Sequence, residues 1–278
     1  MTKNNQPAGG VSLVYQCRLN VSTRTVEYMA HLLRERLKAI KSPFRTLPPA
    51  RIALLVLANL RHDQRVLDLA GGNDVPESTL RRWRNEMIDL LAAKAPRLDR
   101  ALKKIAKRGG EVVLLDGTLI PTERRSGRDD RRNYSGKHHR HGLHFLALTD
   151  EKGRLIWISA ARPGRTHDAK AARHERIVEQ LKAAGLGALA DLGFIGVDSP
   201  DNPDELVIVT GYKATRNRKL TPAQKEANRV LAAGRAPVEH GFAHLKNWRV
   251  LTKLRTDPGR ATALLRALLV LTNVEVNR

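Results

Sequence analysis

The spacing of apolar residues changes near residue 110, and this change constrains the fold more than any other feature. Before it, apolar residues such as Val26, Met29 and Leu33 recur three or four positions apart, which predicts amphipathic helices. After it, short continuous apolar runs such as "VVLL" at 112–115 predict buried strands. We therefore expect an all-helical region followed by a region of mixed helices and strands.

The second region is predicted to be an α/β domain built on a mixed five-stranded sheet. The predicted strands are "VVLL" (112–115), "GLHFLALTD" (142–150), "GRLIWISA" (153–160), "LGALADLG" (186–193) and "ELVIVTGY" (205–212). The predicted helices cover 166–184, 222–233, 237–250 and 259–274. A meander of three strands followed by alternating helices and strands is typical of a ribonuclease-H-like fold. The chain is accordingly divided into a polar tail (1–20), a helical domain (21–107) and this α/β domain (108–278).

The helical domain contains a pattern typical of helix-turn-helix DNA binding. In the segment 64–96, a short apolar helix, a turn at Gly71 and Gly72 and a second amphipathic helix follow one another. The exposed side of the second helix is predicted to carry three basic residues, Arg81, Arg82 and Arg84. A helical hairpin with a solvated basic face would show the same pattern, so the charge of the whole chain has to decide between the two.

That charge is strongly positive. The chain has 50 Lys and Arg against 28 Asp and Glu, a formal net charge of +22, which points to a polyanion as partner. Aromatic residues make up only 4%, too few for a surface that stacks single-stranded bases, so duplex DNA is the expected partner. The longest apolar stretches are too short or too interrupted to span a bilayer, and we expect no membrane association and a cytoplasmic, nucleoid-associated protein.

Three acidic residues occupy positions suited to metal binding. Asp116 follows the apolar run 112–115, Asp191 follows the core of the fourth predicted strand, and Glu239 is the only acid in the basic stretch "RAPVEHGFAHLKNWRVL". Each alone has an ordinary explanation: a turn, a loop cap or a surface ion pair. Together they could supply the carboxylates that a pair of Mg²⁺ ions requires for phosphodiester cleavage. Pro237 is expected to start the helix that carries Glu239.

Several motifs occur in an order that resembles a known family. "RAPVEHGFAHLK" has the R-x3-E-x6-K pattern, with Arg235, Glu239 and Lys246 in its three places. "LLDGTLIPTERR", "YSGKHHRHG", "PGRTHDAKAAR" and "LADLGFIG" precede it at similar intervals. This arrangement resembles the IS4/IS5-type DDE transposases, which combine a DDE superfamily endonuclease domain with an N-terminal helix-turn-helix.

The resemblance implies a function and a set of site residues. Asp116 and Asp191 would be the first two metal-binding aspartates and Glu239 the third acid, holding two Mg²⁺ or Mn²⁺ ions. Arg235 and Lys246 would bind phosphates. The protein would be an insertion-sequence transposase that cuts the ends of its element and transfers them into target DNA, as a homo-oligomer on double-stranded DNA. The alternatives are an inactive or domesticated DNA-binding regulator and a generic metal-dependent nuclease.

Two features leave alternatives open. Asp168, beside His167 in "RTHDAK", is a rival for the second acid; it could also cap a helix, or both residues could support the metal ligands. The second feature is a histidine cluster in "GKHHRHGLH", formed by His138, His139, His141 and His144. It could bind zinc, but the interleaved Lys137 and Arg140 favour a loop that contacts DNA.

Overall fold

The computed structural model of the chain describes residues 18–42, 45–124, 128–198 and 205–276. Most of the predicted polar tail lies outside the described residues. The helices in this part of the chain are α1 (Thr23–Ala39), α2 (Pro49–His62), α3 (Val66–Gly71), α4 (Glu77–Ala92), α5 (Leu98–Ala106), α6 (Arg128–Asn133), α7 (Asp168–His174), α8 (Ile177–Ala184), α9 (Pro222–Lys246) and α10 (Pro258–Val276). The strands are β1 (Val112–Pro121), β2 (Tyr134–Ser135), β3 (Arg140–Thr149), β4 (Leu155–Ile158), β5 (Arg162–Pro163), β6 (Gly187–Ala190) and β7 (Ile208–Val209).

The N-terminal helices begin where local chemistry favours a start. The Ser22 side chain accepts a hydrogen bond from the Thr25 amide at the first turn of α1, and Pro49 occupies the first turn of α2. Helices α3 and α4 follow as a short pair joined by a tight turn after Gly71. One face of α4 is buried, and it consists of Leu80, Trp83, Met87, Ile88 and Leu91. The helices expected from apolar spacing in this region are therefore confirmed.

The sheet is mixed and centres on β1. Strand β1 pairs with β3 in the antiparallel direction and with β6 in the parallel direction, and β7 pairs in parallel with β6. Strands β2, β4 and β5 all pair antiparallel with β3. The five predicted strands are present. The described sheet nevertheless has seven strands rather than five, because the two-residue strands β2 and β5 lie outside the apolar runs from which strands were predicted.

Apolar residues cover both faces of the sheet. Phe145 and Ala147 of β3 belong to one core, together with residues of α1 to α4, α9 and α10. Leu146 and Leu148 of the same strand belong to a second core with residues of α5, α7 and α8. Successive strand residues point to opposite faces, so this alternation places the sheet between two layers of helices.

Helix α10, near the C-terminal end of the described chain, packs against the N-terminal helices. Its buried leucines pack in the same core as α1, α2 and α4, and its Glu275 accepts a hydrogen bond from the Ser22 amide at 2.8 Å. In the described ranges, no helix combines the length and the apolar character needed to cross a bilayer.

Two helix predictions were wrong. The predicted helix 166–184 is two helices, because Arg176 between them adopts a left-handed conformation with φ 52°. The predicted helices 222–233 and 237–250 are largely one, α9, with Pro237 inside it rather than at its start. An internal proline removes one backbone hydrogen bond and its ring clashes with the preceding turn, which together cost about 3 kcal/mol. Burial of Val238, Phe242 and Leu245 after the proline offsets that cost.

Candidate active site

The register between β1 and β6 places Asp116 beside Asp191. The parallel pairs run from Val112 with Gly187 to Leu115 with Ala190, so the two aspartates are the next residues on their respective strands. Asp191 follows β6 as predicted. Asp116, however, lies inside β1 rather than at its end, because pairing with β3 continues to Pro121 after the apolar run has stopped. The two carboxylates therefore extend from the point where β1 and β6 separate.

Backbone amides fix one oxygen of each aspartate. The Gly117 amide donates to Asp116 Oδ1 at 2.8 Å, and the Gly193 amide donates to Asp191 Oδ1 at 2.8 Å. The second contact caps the short turn that follows β6. Both side chains are thus oriented by their own loops, and each keeps its other oxygen clear of these amide contacts.

Asp168 lies against the backbone of both aspartate-bearing segments. A side-chain carbon added to either Gly117 or Gly193 would overlap an oxygen of Asp168, so only glycine leaves room for this carboxylate. Asp168 Oδ1 is 2.7 Å from Nε2 of the buried His144, and its Oδ2 is 3.8 Å from Lys137 Nζ. His167, not Asp168, occupies the cap position of α7. The structure therefore does not support a helix-capping role for Asp168.

The electrostatics of the cluster differ from one acid to the next. Burial, followed by the nearby charges of Asp191 and Asp168, raises the pKa of Asp116 to about 6 despite the Gly117 amide and Arg235. Burial acts on Asp168 in the same sense, but the hydrogen bond from His144 and the charges of His144 and Lys137 lower its pKa below the usual value. Of these two acids, Asp168 has its charged form stabilised by the protein, and Asp116 has its charged form disfavoured.

The raised pKa of Asp116 predicts a pH-dependent effect of Asp116→Asn on stability. Between its ordinary pKa of 3.8 and about 6, the folded state binds more protons at this group than the unfolded state, so stability falls as pH rises. Above pH 6 the whole penalty is present, up to about 3 kcal/mol. We expect Asp116→Asn to raise the free energy of unfolding at pH 8 and to change it little at pH 4, as measured by urea denaturation without divalent cations. An equal gain at both pH values would contradict this origin.

Arg235 and Glu239, one turn apart on α9, have different surroundings. Arg235 Nη2 is 3.8 Å from Asp116 Oδ1, and its buried Nε has no hydrogen-bond partner among the described residues. Glu239 is exposed. Across the residues that the structure describes, no three His, Cys, Asp or Glu side chains already form a group able to hold a metal ion. The structure thus brings Asp116, Asp191 and Arg235 together and leaves Glu239 outside that group.

Apart from Arg82, the other predicted basic residues line three separate cavities. Lys137 and His167 line one of about 410 Å³ next to Asp168. Arg140 and Lys246 meet at another of about 290 Å³ beside the end of β1. The third cavity, of about 420 Å³, is lined by Arg81 and Arg84 of α4.

The prediction that the three arginines of α4 share one exposed side is wrong. Arg82 is exposed and lies outside the lining of the third cavity. Arg84 is partly buried and faces residues of the C-terminal part of the chain, including Arg260. The helical repeat explains why Arg82 is separated from the other two arginines. Positions 81 and 84 share one face of the helix, and position 82 points away from it.

The histidine cluster does not form a zinc site within the described part of the chain. His144 is buried against Asp168, whereas His141 Nε2 is 2.8 Å from Asp130 Oδ1. His138 and His139 are exposed in the turn between β2 and β3. The cluster is therefore divided among three environments.

The contact between His144 and Asp168 was not anticipated from sequence. The two residues lie in different motifs, and β3 and α7 bring them together only in the folded chain. One sequence feature does indicate that a third group approaches the two aspartates: a glycine follows each of them within two residues, in "DGT" and "DLG". Glycine at such a place permits a close approach by another group.

Comparison with known proteins identifies relatives along most of the chain. Residues 115–273 match the family model of the DDE superfamily endonuclease. The chain is 30% identical over 216 residues to a transposase for insertion sequence element IS112 of Streptomyces albus G, covering 76% of this chain and 73% of the relative. It is 26% identical over 239 residues to a transposase for insertion sequence element IS702 of Microchaete diplosiphon, covering 84% and 83%. No solved structure matches the chain. The family match includes Asp116, Asp191 and Glu239.

Proposed function

The chain belongs to the DDE superfamily endonucleases, and from this membership we propose that it is an insertion-sequence transposase. Its substrate is double-stranded DNA, which it cuts at the ends of its element and joins to target DNA. The observation that carries this proposal is the adjacent placement of Asp116 and Asp191 in a chain of net charge +22. Paired acids in so basic a protein suit a metal-dependent reaction on a polyanion.

DDE superfamily endonucleases are generally dependent on divalent metal ions. Mg²⁺ and Mn²⁺ prefer oxygen ligands, and the site offers the carboxylates of Asp116 and Asp191 on neighbouring strands. Burial, followed by the charges of Asp191 and Asp168, raises the pKa of Asp116, and a bound cation would stabilise its charged form. We assign two such ions to this site, with Glu239 as the third acid on the strength of its motif. When bound, the metal activates water and stabilises charge on the phosphate under attack.

Arg235 is the proposed phosphate ligand nearest to these acids. Its Nε has no partner in the described part of the chain, and its position beside Asp116 leaves hydrogen-bond donors available where the scissile phosphate would lie. Lys246 and Arg140, which meet at the end of β1, would hold a neighbouring stretch of the DNA backbone. Lys137 would do the same from the cavity beside Asp168.

Asp168 and His144 have a positioning role in this proposal. The Asp168 carboxylate lies between Gly117 and Gly193, so it limits movement of both segments that carry the metal-binding aspartates. His144 in turn fixes Asp168 through their hydrogen bond. Groups that orient metal ligands in this manner commonly affect activity by 10- to 100-fold. His167, exposed in the adjoining cavity, is assigned to the same supporting shell.

The wider architecture agrees with the proposal. We propose that the α/β region is a ribonuclease-H-like domain, and the strand order supports this, with two strands parallel to β1 on one side and an antiparallel meander on the other. We assign the α3–α4 pair as a helix-turn-helix that recognises DNA, with the exposed Arg82 as one contact; the short turn between the two helices supports this assignment. The proposed division at residues 107 and 108 rests on the change in apolar spacing alone, because α10 packs with the N-terminal helices and α5 packs in the core of the sheet. Joining two element ends at one target also requires more than one active site, so a homo-oligomer on DNA is proposed.

The proposed function is tested with a DNA duplex that carries the sequences flanking this gene. We expect nicking that depends on Mg²⁺ or Mn²⁺, followed by transfer of the new 3′ end into a second duplex. Cleavage of every duplex without preference and without strand transfer would indicate a generic nuclease. Tight binding with no metal-dependent nicking would favour a DNA-binding regulator.

A further inference from the structure

The third cavity lies where α2 to α4 meet the segment between α9 and α10, and we call it the arginine cleft. Six cationic side chains line it, whereas the acids in its lining are Asp63 and Glu77. The six cations are Arg65, Arg81, Arg84, Lys253, Arg255 and Arg260. The cleft therefore collects positive charge from two parts of the chain that are far apart in sequence.

Most of these cations already have acidic partners. Arg81 pairs with Glu77 on the same helix, and Arg260 pairs with Asp89 at 2.9 Å. Lys253 and Arg255 both lie within 4 Å of Glu123. These contacts hold the walls of the cleft in place and reduce its charge.

Arg84 is different. Within the described parts of the chain it forms no ion pair, and its guanidinium donates only to the side-chain oxygen of Asn85, at 3.2 and 3.3 Å. Burial, followed by the charges of Arg81 and Arg260, lowers the pKa of Arg84. An arginine stays protonated in proteins, so its desolvated charge is unfavourable until an anion approaches. Among the described residues, Arg84 thus has no counter-ion, and it lines a cleft of about 420 Å³.

The lining indicates what kind of anion fits. None of the described residues that line the cleft is aromatic, so the lining offers no surface for stacking a base. Its donors are charged groups suited to phosphate oxygens. The cleft also opens between the proposed recognition helix and the C-terminal part of the family domain, which both have to contact the same DNA.

We propose that the arginine cleft binds a backbone phosphate of duplex DNA, held by Arg84 from α4 and by Lys253 from the segment before α10. The proposal rests on the proposed function for the identity of the DNA. It goes beyond that function by linking the helix-turn-helix and the catalytic region through a shared phosphate. One strand would then be held by both regions at once.

The test measures the affinity for a short duplex at several salt concentrations. Removing one phosphate contact lowers the slope of log affinity against log salt by about 0.9. We expect Arg84→Gln and Lys253→Gln each to show this change and to weaken binding about tenfold, since a hydrogen bond to a charged group is lost. Because both hold one phosphate, the double variant should bind more tightly than the product of the two single effects predicts.

Lys104→Gln is the matched control. Lys104 is exposed on α5, which packs in the core on the other face of the sheet, so its removal subtracts the same charge away from the cleft. Equal slopes for Arg84→Gln and Lys104→Gln would overturn the proposal, as would strictly additive effects of the two cleft variants. If Arg84→Gln does not fold, as judged from its thermal midpoint, the exposed Lys253 still provides the test. The wild type and Lys104→Gln should both nick DNA with Mg²⁺ or Mn²⁺. If they do while the cleft variants keep the wild-type salt slope, the cleft proposal fails and the proposed function stands; if neither nicks, the proposed function itself fails.

Discussion

Asp116→Asn is expected to lower metal-dependent DNA cleavage at least about a thousandfold, while affinity for duplex DNA stays within a few-fold of the wild type. Asparagine keeps the size of the side chain and can still accept from the Gly117 amide, but it removes the negative charge that would hold a cation. Loss of a metal ligand removes several kcal/mol of transition-state stabilisation, and each 1.4 kcal/mol is a factor of about ten. The measurement is the rate of nicking with Mg²⁺ or Mn²⁺, alongside DNA binding without metal.

Asp191→Asn and Glu239→Gln should reproduce this result if the three acids act together. Glu226→Gln is the matched control for the third acid, because Glu226 is also an exposed glutamate of α9 but pairs with Arg229 instead. A loss of cleavage confined to the two aspartate variants, with Glu239→Gln as active as Glu226→Gln, would remove Glu239 from the site. Full cleavage by Asp116→Asn would contradict the assignment of the whole metal site.

A second readout does not depend on cleavage. If Asp116 and Asp191 bind a divalent cation, Mn²⁺ should raise the thermal midpoint of the wild type and leave that of the double variant Asp116→Asn/Asp191→Asn unchanged. The reason is that a ligand stabilises only the state that binds it. Stabilisation of both proteins to the same extent would place the cation elsewhere.

The parts of the fold that sequence could predict are those set by local patterns. Helical spacing was sufficient to predict α1, α2 and α4. Apolar runs were sufficient to predict the strands β1, β3, β4, β6 and β7. The prediction failed where tertiary contacts decide the outcome. Helix α9 continues through Pro237 because the residues after the proline are buried, and no local pattern reports that burial.

In the candidate site, too, local patterns predict some features and tertiary contacts decide the others. Asp116 and Asp191 could be singled out because each follows an apolar run, but their adjacency depends on the register between β1 and β6. Asp168 could be named only as an alternative, since its contacts with Gly117 and Gly193 require three separate elements to meet. Arg84 was assigned to an exposed face because helix periodicity does not show which neighbouring segment will cover that face. Residue types and local spacing therefore yield candidates, and topology decides which of them come together.

Gly117→Ala is expected to reduce both stability and cleavage. The added methyl group would overlap Asp168 Oδ1 and lie 2.9 Å from His144 Nε2. Gly117 also pairs with Leu146 in the middle of the β1–β3 ladder, so the backbone has little freedom to move away. Overpacking of this kind lowers the free energy of unfolding by about 1 to 3 kcal/mol. Displacement of Asp168 should lower cleavage a further 10- to 100-fold, as for other groups that orient metal ligands.

The measurements are urea denaturation and nicking rates for Gly117→Ala, with Gly71→Ala as the control. A methyl group added at Gly71 would meet no atom within 4 Å, so that variant should keep the wild-type free energy of unfolding. The origin of the effect is tested by repeating Gly117→Ala in an Asp168→Ala background, where the overlapping carboxylate is absent. The loss of stability caused by Gly117→Ala should shrink there, because the two residues are in contact, whereas cleavage should stay low because Asp168 no longer positions the site. Recovery of cleavage in the double variant would mean that Asp168 only fills space between the two aspartate-bearing segments.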